Sequence, residues 1–110
     1  MRSAGHDATS GLLRAVRASF AMPVALEEVR SRAWASATFM GARHELSLRV
    51  EGEQAEEAAS SFVAGLATAE FPLKGHIVAD VHLASHERGA APGGEPFVRL
   101  RIEALTVEDC

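Results

Sequence analysis

The sequence predicts a two-layer α+β fold, a four-stranded, mostly antiparallel sheet with one main helix packed on one face, in the order (α)-β-β-α-β-β. Three features carry that reading. His44, Leu46, Leu48 and Val50 alternate with Arg43, Glu45, Ser47, Arg49 and Glu51, a period of two that marks a half-buried strand. Ala55, Ala58, Ala59, Phe62, Val63 and Leu66 then fall on one stripe of a 3.6-residue repeat. Alternation resumes after Gly75 and again from Phe97.

Taken in chain order, Met1–Ser10 reads as a disordered tail and residues 11–110 as a single domain. Thr9 or Ser10 is placed to cap a short helix whose Leu12, Leu13, Val16 and Phe20 share a side, and Pro23 interrupts it. A first strand is expected within Glu28–Phe39, with Trp34, Ser36 and Thr38 on one face. Met40-Gly41 is the expected turn, so that residues 28–51 form a hairpin. Gly52 ends the second strand. Glu53, Glu56 and Glu57 crowd the first turns of the helix that follows, where the amide dipoles favour negative charge. Pro72 ends the helical region.

The third strand is expected over Gly75–Ser85, with Ile77, Ala79, Val81 and Leu83 on one face and His76, Val78, Asp80 and His82 on the other. Glu87–Pro96 contains three glycines and two prolines and reads as a long hairpin loop. The last strand, Phe97–Val107, turns Val98, Leu100 and Ile102 inward. Leu105 and Val107 break parity with that set, which suggests a bulge or a strand end, and Glu108–Cys110 reads as frayed. A right-handed crossover through the helix sets the second and third strands parallel if they share a sheet.

Composition narrows the function classes. The chain has 110 residues, 47% hydrophobic and 24% charged, which is the balance of one folded domain. Much of the apolar content is alanine, so the core is small and self-association is an expected source of further burial. Cys110 is the single cysteine, which excludes a disulfide scaffold or a cysteine-based zinc site within the chain. No apolar run reaches the length of a bilayer span, no signal peptide is legible, and the cytoplasm is the default location.

Charge is uneven. Residues 1–50 hold seven arginines against four carboxylates, and residues 51–110 hold four basic groups against eleven. That asymmetry can orient a partner or a second copy. Nucleic acid is disfavoured as a partner. Arg30, Arg32, Arg43 and Arg49 are the nearest approach to a basic row, but Glu28, Glu45 and Glu51 interrupt it.

The most chemical-looking element is His76-x-x-x-Asp80-x-His82, with His86 near the following loop. Two residues along a strand span about 7 Å, so Asp80 and His82 can share one ion or polar ligand. His76 needs a strong twist to join them. The competing reading is that polar residues occupy the solvent face of a strand by necessity. His44 has the parity of Leu46 and belongs at the edge of the core. Trp34 reads as a core anchor or an oligomer contact. No phosphate-binding glycine loop, dinucleotide fingerprint, HExxH or EF-hand loop is present, so no cofactor is expected. The leading expectation is a self-associating protein-interaction module, forming a homodimer or docking on another protein. The alternative is a small-molecule or metal-ion domain, even an enzyme, that gathers His76, Asp80, His82 and His86 under the 87–96 loop.

Overall fold

Two strands with matching apolar rows form the centre of the sheet. In the computed structural model, which describes residues 4–109 and side chains from residue 8, these are β2 (Met40–Glu51) and β4 (Pro96–Glu108). They pair antiparallel from Gly41↔Val107 to Glu51↔Phe97 without a register shift. β1 (Ala25–Ala35) flanks β2, and β3 (His76–Ala90) flanks β4, giving the spatial order β1-β2-β4-β3. All pairings are antiparallel. β2 and β3 therefore run parallel, as the crossover requires, with β4 inserted between them.

Both helices lie on one face. α1 (Ala4–Ala18) buries Ala8, Leu12 and Val16, and α2 (Ala55–Leu66) buries Ala55, Ala59, Phe62 and Leu66. They close over Leu46, Leu48, Val50, Val98, Leu100 and Ile102 in one cluster. Each fully buried aliphatic side chain contributes about 1.5–3 kcal/mol. Phe20 stacks on Phe62 with ring centroids 4.5 Å apart, joining the end of α1 to α2. The alanines of α2 let its backbone approach the sheet. Glu56 and Glu57 lie in its first turn, as the dipole argument requires.

Several expectations are corrected. α1 starts at Ala4, so its first turns occupy part of the stretch read as a tail; Met1–Ser3 and Cys110 lie outside the described residues. The first turn is Ser36–Phe39, where the Ser36 amide donates to the Phe39 carbonyl at 2.8 Å and the Ser36 hydroxyl accepts from the Phe39 amide at 3.0 Å. Gly41 is instead needed for close approach, because a Cβ there would run into the Thr106 carbonyl and the Trp34 ring.

β3 continues to Ala90, five residues past its expected end, because Glu87–Ala90 keep pairing with Arg99–Pro96; the loop shrinks to residues 91–95. β4 has no bulge. It alternates to its end, with Ala104 and Thr106 inward and Leu105 and Val107 outward. The irregularities are in the edge strands, at Glu27 of β1 and at Ala79 and Ala84 of β3. The bulge at Ala79 splits the expected row, leaving Val81 and Leu83 under the helices and Ile77 outside, 53% exposed.

Leu100→Ala should lower unfolding free energy by about 3 kcal/mol through the cavity it leaves. Ile77→Ala should change it by under about 0.5 kcal/mol. Urea denaturation followed by circular dichroism measures both.

Candidate functional site

The sheet face opposite the helices carries the charged residues, and register sorts them into rows. From β1 to β3, one row is Arg30, Glu45, Glu103 and His82, and the next is Arg32, Arg43, Leu105 and Asp80. Beyond them, at the end of the sheet, lie Trp34, Gly41, Val107 and Ile77. A shallow concavity of about 770 Å³ covers the first two rows, with arginines on one side and carboxylates on the other.

Toward the opposite end, ion pairs join the strands. The bulge at Glu27 turns its carboxylate across β2, where Arg99 holds it through Nε and Nη2, the latter at 3.1 Å. Arg49 lies 3.9 Å from the same carboxylate and bonds Glu51 at 2.9 Å. Its guanidinium also sits 3.9 Å above the Phe97 ring. Glu28 accepts from Arg30 at 3.2 Å and from Arg101 at 3.3 Å. The hydrogen bonds from Arg99, followed by the charges of Arg99 and Arg49, hold the Glu27 carboxyl below its ordinary value.

The four residues singled out in the sequence are split between the two faces. Asp80 and His82 stay together outside, and Glu103 joins them: His82 Nδ1 is 3.2 Å from Asp80 Oδ2, and Nε2 is 3.1 Å from Glu103 Oε1. His76 and His86 are on the helix face, opposite Glu108 and Leu100, because the bulges at Ala79 and Ala84 change parity. His86 Nε2 lies 3.9 Å from Glu56 of α2. His76 Nδ1 donates to the Lys74 carbonyl at 3.3 Å, and its buried Nε2 meets no partner among the described residues. Residues 87–90 form strand and cannot close over the group as a lid. Among the described residues, no group of three His, Cys, Asp or Glu is arranged to hold a metal ion.

Two features escaped the sequence reading. His44 is 1% exposed and fully hydrogen-bonded inside the sheet–helix interface, not at the edge of the core. The other is an apolar end to the outer face. Ile77 is 53% exposed there, in one row with Trp34 and Val107 and next to Leu105, and Phe39 in the turn at the same end is 57% exposed; Met40, 58% exposed, has the parity of Ala42 and belongs to the helix side. The parity break at Leu105 and Val107 was its signal.

Glu27→Gln should cost under about 1 kcal/mol, because the pair is partly solvated and screened. A carboxyl with a lowered folded value stabilises the protein above the unfolded value of 4.5 and loses that contribution as pH falls through the folded one. The variant should therefore show a flatter dependence of stability on pH below 4.5, read from urea midpoints at pH 3–6.

No family model matches the chain, and no curated protein matches it. A solved chain described as "Virion of native gene transfer agent (GTA) particle" is similar, with a TM-score of 0.57 at 17% identity, covering 79% of this chain and 69% of that one. At that identity the likeness is one of fold: two helices on a four-stranded antiparallel sheet. Among the described residues no helix is long and apolar enough to cross a membrane.

Proposed function

We propose that the chain is a protein-interaction module, a subunit of a protein assembly, which pairs with a second copy of itself through the apolar end of its outer sheet face. The observation that carries this is the outer-face row of Trp34, Val107 and Ile77 with Leu105 next to it, in which Ile77 is more than half exposed, together with Phe39, also more than half exposed, in the turn at the same end. Apolar groups gathered at one place on a surface mark contact sites, whereas scattered ones do not. The similar chain from a virion particle supports an assembly role. A cytoplasmic setting accords with a sequence whose single cysteine provides no disulfide framework.

Register supplies the pairing geometry. A two-fold axis along the strands, lying between β2 and β4 in the contact plane, exchanges β1 with β3 and β2 with β4. The end row then packs on itself, Trp34 against Ile77 and Gly41 against Val107 of the other copy. The adjacent row sets Arg32 against Asp80 of the other copy. One row further, Glu45 would face Glu103, so like charge confines the contact to the end of the face. The twist of each sheet separates the rest.

Sedimentation velocity at micromolar concentration should give a mass of twice 11.7 kDa for the native chain. Phe39→Asp and Ile77→Asp should weaken self-association by about tenfold or more, as expected when a buried apolar contact becomes charged, while melting measured at a concentration too low for self-association stays unchanged. Arg32→Glu should weaken it, and Arg32→Glu combined with Asp80→Arg should restore it. A monomeric native chain, or indifference to all four changes, overturns the reading.

A further inference from the structure

His44 is a buried histidine on which four segments meet. Its Nε2 lies 2.8 Å from Thr106 Oγ1 of β4. Its Nδ1 lies 2.9 Å from Ser31 Oγ of β1 and 3.0 Å from Thr9 Oγ1 of α1. The Thr106 hydroxyl donates to the Ala42 carbonyl at 3.4 Å, so Thr106 Oγ1 accepts from His44 Nε2–H. That leaves Nδ1 as an acceptor for a hydroxyl of the Ser31–Thr9 pair, whose oxygens also hydrogen-bond to each other. The neutral ring is thus satisfied on both sides by neutral hydroxyls.

Among the described side chains, none balances a charge on this ring. Arg43 and Glu45 flank it on β2 but project to the opposite face, as do Arg30 and Arg32 of β1 and Glu103 of β4. Glu108 of β4 shares the inner face but lies beyond Thr106, opposite His76. His76 of β3 is the titratable group whose charge acts on His44. Arg14 and Arg17 of α1 are exposed. No ion pair reaches His44 among the described residues.

We propose that His44 is an acid-sensitive latch for α1, whose protonation releases the helix from the β1–β2 side of the sheet. A buried imidazolium held by hydroxyls alone is costly, and the least disruptive way to hydrate it is to lift the element that covers it. α1 is that element. Among the described residues it is held by Thr9, by the packing of Ala8, Leu12 and Val16, and by the Phe20–Phe62 stack just past its end. β2 and β4 are instead clamped by eleven consecutive pairs and by α2. Local opening selects the more weakly held element.

The direction with pH follows from burial, which depresses the basicity of His44, with the charge of His76 acting in the same sense. A histidine whose folded value lies below the ordinary 6.5 stabilises the closed state in its neutral form. That contribution is complete above 6.5 and is lost as pH falls from there toward the lowered folded value.

Amide hydrogen exchange, expressed as protection factors at pH 7.5 and 5.0, tests this on the full chain. In the native protein, protection in α1 should fall by about tenfold or more, while β2 and β4 change by less than about threefold, as for a local opening. His44→Gln, which keeps a donor and an acceptor but cannot titrate, should abolish the acid loss. If that variant does not fold, nuclear magnetic resonance titration of the native His44 ring decides: it should titrate below 6.5 in step with loss of the α1 signals. Unchanged α1 protection at pH 5.0 overturns the proposal. So does simultaneous loss in every element, an acid loss that persists in the folded Gln variant, or titration of His44 with α1 still closed.

Discussion

The pairing of β2 with β4 is the constraint on which the rest of the structure depends. Over eleven consecutive pairs these strands set Leu46, Leu48 and Val50 beside Ile102, Leu100 and Val98, under both helices. A one-residue slip would drive Arg43, Glu45 and Arg49 into the helix layer and expose every leucine, so the register has no near competitor. Each central strand is bonded on both sides and has no freedom to bend. The edge strands do. All three bulges fall in β1 and β3, where a strand is held on one side only and an extra residue disturbs one ladder instead of two. The same bulges interrupt edges that would otherwise offer long straight templates for pairing.

That division explains what was legible. Strict alternation identified β2, and the switch to a helical stripe placed α2 within a residue or two. Both depend on side-chain rhythm imposed by a buried face. The bulges left no local mark. Ala79 and Ala84 are small enough for either face, so His76–Leu83 looked like one unbroken alternation and carried His76 to the wrong side. β3 beyond Ser85 was missed because His86, Glu87, Arg88 and Gly89 form no apolar row of their own. Their strand conformation comes from β4, whose pattern is strong. Gly41 was assigned to a turn on residue type, when the requirement was space beside the Thr106 carbonyl and the Trp34 ring.

The candidate site was legible to a similar depth. Arginine and glutamate alternation correctly placed a charged outer face, and the grouping of Asp80 with His82 survives in the structure. The partners did not follow from spacing. Glu27 reaches Arg99 across an intervening strand because a bulge turns it outward, and Glu103 joins His82 through a register that only the folded sheet sets. His86 and His76 left the group for the opposite face. Pairwise contacts between distant strands are properties of register, and register is cooperative.

At one end of the sheet the usual division of residues is inverted. Its inner face carries Ser31, His44, Thr106 and His76, and its outer face carries Trp34, Gly41, Leu105, Val107 and Ile77. Elsewhere the helix face is mainly aliphatic and the outer face mainly ionic, so the inversion is a local breach of the pattern that folds the chain. Such breaches persist where something besides stability is served. The polar interior holds together because each nitrogen of His44 meets a hydroxyl, which makes the cover over it conditional on the charge of one ring. The apolar exterior gains from burial against another surface. Strand alternation couples the two: Thr106 faces inward because Leu105 and Val107 face outward. A single stretch of β4 therefore supplies both the polar anchor beneath α1 and the apolar surface opposite, and a change of register that repaired one would destroy the other.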